Sequence, residues 1–217
     1  MDADPAGALV VAAALRLEAR VLRTALPAAR VVRTGMGPER ASAAAGRWAS
    51  EVPGAALAVA GLCAGLDPDL RPGDVVVASE VRGPNGVIAC RSAGSLVAAL
   101  ARRGLRAGCG PLTSVDHVIR GAERARLHAG GAIAADMETA FLATAAGLAR
   151  PREPERPVPL AVLRVVVDTP RRELLRPAVV LDGLRALRAL RRGAPALAEW
   201  AAGIAETMRF TIPKEVG

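Results

Sequence analysis

The chain has no tyrosine, and aromatic residues make up only 2% of its 217 residues. Its core must therefore be built from Ala, Val and Leu, and few rings are left for nucleic-acid bases to stack on. Lysine is almost absent, so the net charge of +8 rests on scattered arginines. A basic balance suits nucleic acid or an anionic surface, but scattered charge without aromatics argues against nucleic-acid binding. Cys63, Cys90 and Cys109 are an odd count with no CxxC, which disfavours a disulfide framework or a zinc site. The two histidines, His117 and His128, lack ligand spacing. No apolar run approaches the ~20 residues of a membrane span. The acids Asp2 and Asp4 stand where a secretory signal would be basic. Neither GxGxxG nor GxxxxGKS/T occurs, so neither a dinucleotide nor a nucleoside triphosphate is suggested. The expectation is a soluble cytoplasmic protein with no metal and no redox cofactor.

What the chain does have is apolar content, 52%, enough for one α/β domain over residues 1–217. Short apolar runs at 7–14, 30–34, 55–60, 75–78, 107–115, 132–135 and 160–167 read as strands, most of them fully buried. Helical spacing between them covers 15–26, 38–48, 96–103 and 121–128, and a further helix follows 135. Gly83-Pro84-Asn85-Gly86 reads as a turn, with hairpin potential. The stretch 151–159 holds four prolines and reads as a surface loop. The tail, 179–208, reads as two helices split near Gly193-Ala194-Pro195. Strands alternating with helices predict a single domain with a central, mostly parallel twisted sheet covered on both faces.

In such sheets, ligands sit beyond the carboxyl ends of strands. Glu18, Gly35 to Gly37, Gly61 to Gly65, Asp116, Met137-Glu138 and Asp168 all follow predicted strands. The most telling stretch is Ala134-Ala135-Asp136-Met137-Glu138-Thr139-Ala140, a strand ending where a helix begins. Asp136 can cap that helix, and Glu138 sits in its first turn, where the dipole favours an anion. Capping alone would explain both acids.

Five pieces in order carry a resemblance. They are Ala12 to Leu22 with Glu18, Thr34-Gly35-Met36-Gly37, and Gly61 to Leu66 followed by Arg71-Pro72-Gly73-Asp74. The fourth is Asp136-Met137-Glu138-Thr139-Ala140, and the fifth is Leu163-Arg164-Val165-Val166-Val167-Asp168. Together they resemble the nucleoside phosphorylase/nucleosidase superfamily, which includes purine nucleoside phosphorylase and methylthioadenosine nucleosidase. Within it, the short length and the Leu-Arg-Val-Val-Val-Asp ending look most like the hopanoid-associated branch acting on adenosylhopane.

The resemblance implies a nucleoside phosphorylase-like fold and cleavage of the N-glycosidic bond of a 5′-substituted adenosine, with release of adenine. It puts the general acid for the purine on Asp168, whose other reading is a capping or turn residue before Pro170. It puts water activation on Glu18, otherwise an ordinary helix-face glutamate. It puts the ribose hydroxyls on Glu138 and the sugar against Met137, otherwise a core methionine. Substrate contacts are expected also at Asp136, Asp116, Gly35, Gly37, Gly61 and Cys63. The glycines would let backbone approach the ligand closely.

Two departures matter. Leu62 and Cys63 stand where phosphorylases carry a hydroxyl residue for phosphate. Arg16, Arg20, Arg33 and Arg40 match no phosphate motif, which favours hydrolysis over phosphorolysis while leaving phosphate as an alternative co-substrate. The connection between Glu80 and Ser92 is short, which predicts an open mouth suited to a large 5′ group. Rival readings are a methylthioadenosine, adenosylhomocysteine or futalosine nucleosidase, and, from another class, a non-catalytic nucleoside-binding protein. The resemblance also implies a homo-oligomer, with a dimer favoured. Leu184, Leu187 and Leu190 alternate with Arg185, Arg188, Arg191 and Arg192, so the tail could touch an anionic membrane surface or be an ordinary outer helix.

Overall fold

The computed structural model describes residues 9–50, 55–148, 158–171 and 179–211. The first residues of the first predicted strand and most of the predicted loop 151–159 lie outside them. The described chain forms eight strands and seven helices in one α/β domain.

Strands β1 (Leu9–Ala13), β2 (Arg30–Arg33), β3 (Ala56–Gly65), β4 (Val75–Gly83), β5 (Gly86–Ala89), β6 (Ala107–Ser114), β7 (Ala134–Asp136) and β8 (Leu160–Asp168) share one sheet. It is mixed rather than near-uniformly parallel. β1 pairs with β2 and β3, β3 with β8, β4 with β6, and β6 with β7 in parallel. β3–β7, β4–β5 and β4–β8 are antiparallel. The predicted turn at Gly83 to Gly86 is the β4–β5 hairpin.

Two long strands change partner part-way, and this curls the sheet. β3 pairs with β1 through Ala56 to Val59 and with β7 through Ala64 and Gly65. β4 pairs with β8 through Val75 to Val77 and with β5 through Glu80 to Gly83. The circuit β3–β7–β6–β4–β8 thus closes on itself, leaving β2 and β5 as the edge strands. Register shifts at Cys63/Ala64 and between Ala78 and Val81 lie where this bending occurs, as bulges do.

The strands are continuous apolar runs because both faces are covered; every residue of β1 is buried. Helices α1 (Arg16–Ala25), α3 (Ala93–Arg102), α6 (Val179–Gly193) and α7 (Pro195–Thr211) pack around β8 and β3. α2 (Pro38–Ser50) packs on α5 (Thr139–Ala145), and α4 (Ala122–Ala129) reaches the ends of β3 and β8 through Arg124. The glycine-rich stretch 61–65, expected as a loop, continues β3 as strand, because Leu62 to Ala64 keep β8 as their partner.

Candidate active site

The carboxyl ends of β1, β3, β7 and β8 open into one cleft of about 260 Å³, with Glu18, Met36, Cys63, Met137, Glu138 and Asp168 among its lining residues.

Glu18 sits in the first turn of α1 and is only 2% exposed, although Leu15 and Leu17 beside it are exposed. This inverts the usual arrangement at the helix start only, since Ala19 and Leu22 are buried and Arg16, Arg20 and Arg23 are exposed. The reason is local: Glu18 Oε2 accepts from the backbone N–H of Leu15 at 2.7 Å, and Oε1 accepts from that of Leu62 at 2.8 Å. One carboxyl group thereby satisfies a helix N-terminus and ties α1 to β3.

Glu138 and Asp136 flank Met137 at the β7–α5 junction. Asp136 Oδ1 accepts from the N–H of Thr139 at 3.2 Å, capping α5, and from Ser114 Oγ at 2.5 Å. Its Oδ2 accepts from Thr139 Oγ1 and from Arg164 Nη2. Glu138 Oε1 accepts from the N–H of Gly37 at 3.2 Å, and its Oε2 lies 3.7 Å from Arg164 Nη2. Burial pushes Glu138 up to about 7, with Asp136 and Glu18 adding to the rise while Arg164 and the Gly37 N–H oppose it.

Arg164 projects from the middle of β8 and is buried with these acids; its Nη1 donates to the Leu62 carbonyl at 3.3 Å. Burial works against its charge, but Asp136, Glu138 and Glu18 more than offset that and hold its pKa raised. Asp168, at the end of β8, accepts at Oδ2 from Arg124 Nη2 of α4. Arg124 Nη1 donates to the Gly65 carbonyl at 3.3 Å.

The buried charged groups around the cleft are thus Glu18, Asp136, Glu138 and Asp168 against Arg124 and Arg164. Acids outnumber guanidinium groups, and each guanidinium already faces a carboxylate. The site favours a group that becomes positive and disfavours an added anion. The Cys63 thiol, far raised by burial above all, is no nucleophile.

The Phosphorylase superfamily matches residues 27–182 of the chain. The chain belongs to the phosphorylase superfamily. Structures of similar fold include a methylthioadenosine/adenosylhomocysteine nucleosidase of Campylobacter jejuni (TM-score 0.73, 14% identity, 90% of this chain and 98% of that one). A futalosine hydrolase mutant of Helicobacter pylori strain 26695 is as similar (TM-score 0.73, 14% identity, 88% and 98%). A methylthioadenosine/adenosylhomocysteine nucleosidase of Colwellia psychrerythraea 34H in complex with adenine also matches (TM-score 0.67, 19% identity, 91% and 95%). A search of curated proteins finds no match.

In this phosphorylase-superfamily chain, several residues expected at the substrate stand elsewhere or act differently. Asp116 is exposed, with its Oδ1 2.6 Å from His117 Nδ1, and is not among the lining residues. The following segment turns His117, Val118 and Ile119 toward the cleft instead. Asp136 lines the cleft, but its oxygens are engaged by Ser114, Thr139 and Arg164. Gly61 leaves room for side chains: a Cβ there would stand 2.8 Å from Glu18 Oε1 and 2.9 Å from Arg164 Nη1. Gly35 packs against Arg40, and Gly37 serves Glu138 through its N–H. Met36 between them is the lining residue. Arg16, Arg20, Arg33 and Arg40 are exposed and do not line the cleft.

Sequence reasoning did not assign Arg164 or Arg124. Arg164 left a signal, a lone charge inside an otherwise apolar strand, which requires a buried partner. Arg124 left none, since Ala-Glu-Arg-Ala-Arg reads as an ordinary solvated helix.

Proposed function

We propose that the chain hydrolyses the N-glycosidic bond of a 5′-substituted adenosine, releasing adenine. The observation that carries this reading is the convergence of Glu18, Glu138 and Asp168, from three distant parts of the sequence, on one acid-rich cleft. The names of the structures with similar fold, nucleosidases and a hydrolase, one holding adenine, support it.

In this reading Asp168 gives its proton to purine N7, and the C1′–N9 electron pair leaves with the base. Water adds to C1′, and its proton passes to Glu18. Glu138 holds the ribose hydroxyls, with bonds that strengthen as the sugar becomes cationic. Met137 packs against the sugar. The steps use no metal or organic cofactor.

Water is preferred to phosphate because both buried guanidinium groups are already engaged by carboxylates and the exposed arginines lie off the cleft. The preferred 5′ group is large and apolar, as in adenosylhopane. Leu15, Met36 and Val118 line the cleft while remaining exposed at its mouth, and no residue of the β4–β5 hairpin lines it. A lipid substrate also gives α6 a role. Leu181 and Leu184 are exposed beside Arg185 and Arg188, a surface suited to peripheral contact with anionic membrane. A homodimer is part of the same proposal.

The test is adenine release from a 5′-alkyl adenosine and from methylthioadenosine, with phosphate present and rigorously removed. Release without phosphate, better with the longer alkyl chain, is expected. A requirement for phosphate would make the enzyme a phosphorylase. Exclusive use of methylthioadenosine would replace the apolar substrate, and binding without release would make the chain a nucleoside-binding protein.

A further inference from the structure

We propose that Arg124 is a positioning residue that sets the acidity of Asp168 and so determines when the leaving purine can be protonated. The inference rests on the nucleosidase reading, because Asp168 matters here as the acid for the base.

The pair is buried on both sides, with side-chain exposures of 3% for Arg124 and 2% for Asp168. Arg124 Nη2 donates to Asp168 Oδ2, Nη1 donates to the Gly65 carbonyl, and Arg124 also lines the cleft. The guanidinium is therefore fixed between the end of β3 and the end of β8. The first turn of α4 is held at a second point, where His117 Nε2 lies 3.0 Å from the carboxylate of Glu123, the residue before Arg124. The other charged groups around the cleft are Arg164 from β8, Glu18 from α1, and Asp136 and Glu138 from the β7–α5 junction. Those three acids favour a protonated Asp168. Arg124, at hydrogen-bond distance, favours the carboxylate.

A guanidinium in contact with an aspartate lowers its pKa by about one to three units. The Arg124 contact therefore favours the ionised form of Asp168. Once protonated, Asp168 is a stronger acid than an unpaired one, because Arg124 stabilises the carboxylate left after the proton moves to N7. The pairing raises the rate per protonated enzyme and lowers the protonated fraction. A merely structural Arg124 would do neither.

The experiment follows the side-chain carboxyl of Asp168 by carbon NMR in protein labelled with 13Cγ-aspartate, its signal assigned by loss in Asp168→Asn. Wild type, Arg124→Gln and Arg124→Lys are titrated, and kcat/KM for adenine release from a 5′-alkyl adenosine is measured across the same pH range. In wild type, Asp168 should titrate below the usual carboxylate range. In Arg124→Gln its midpoint should rise by about one to three pH units, the activity limb should move with it, and the plateau should fall. Arg124→Lys, which keeps the charge, should stay near wild type. An unmoved Asp168 signal in Arg124→Gln, or a uniform loss of activity with no move of the limb, overturns the proposal. If Arg124→Gln does not fold, the wild-type titration decides: Asp168 titrating within or above the usual range overturns it. Failure of wild type to release adenine would overturn the nucleosidase reading instead, while the titration still decides the effect of Arg124.

Discussion

The backbone N–H of Gly37 donates to Glu138 Oε1 at 3.2 Å, joining the loop after β2 to the start of α5 across 101 residues. This bond holds the loop carrying Met36 against the cleft. Gly37 has φ +92° with nothing within 4 Å of a Cβ, so Gly37→Ala is strained without a clash. It should cost about 1–3 kcal/mol and raise KM more than it lowers kcat. An alanine variant with unchanged KM would separate this loop from substrate binding.

Glu138 should make stability pH-dependent. Its pKa in the fold, about 7, lies above the ordinary 4.5, so folding favours the protonated form. The stabilisation is full below pH 4.5 and is lost as pH rises through about 7, by an amount on the order of 3 kcal/mol. Glu138→Gln should flatten this slope in urea melts and reduce kcat/KM by about 100-fold if the carboxylate holds the ribose. A slope that persists in the glutamine variant would assign it to other groups.

Removing Arg164 should damage the fold. Arg164→Met leaves Asp136 and Glu138 buried without their guanidinium, and breaking such a pair costs about 3–5 kcal/mol. Chemical unfolding measures this directly. A loss below about 1 kcal/mol would mean that the acids simply protonate or hydrate.

Glu18→Gln keeps one acceptor oxygen where two backbone N–H groups now donate. The variant should remain folded and lose about 100- to 10,000-fold in the hydrolytic rate, the usual worth of a general base. Gly61→Ala, whose Cβ would press on Glu18 Oε1, should share the defect with less loss of stability than Arg164→Met. Full activity in both variants would remove Glu18 from the mechanism.

His117 bridges Asp116 and Glu123 at the cleft mouth. Its pKa is raised, first by the bond to Asp116 and then by that to Glu123. Its contribution is therefore full below pH 6.5, the ordinary value, and fades as pH rises through the elevated one. Thermal melts of wild type and His117→Asn should differ at low pH and converge at high pH. A constant difference would show that packing, not the imidazolium, is responsible.

The strands and the strand-end acids were legible because both follow local rules. Short, valine-rich runs such as 160–167 read as buried strands by their length and β-branched content, and Asp136 before Thr139-Ala140 is cap chemistry readable within four residues. The length of β3 was not legible. Gly61 to Gly65 looks like a loop until β8 supplies a partner for it, and sheet pairing is a non-local choice. Asp116 and His117 show the same limit in the opposite direction, since one residue of phase in a strand end decides which side chain faces the cleft.

The sequence by itself determined the alternation of elements, an aliphatic core, and which carboxylates stand at strand ends. Only the tertiary structure decided which charges meet. Arg124 and Asp168 lie 44 residues apart, and Arg164 and Asp136 lie 28 apart. A buried charge is stable only beside its counter-charge, and that neighbour is chosen by the closed sheet and the helices packed on it, not by any local pattern.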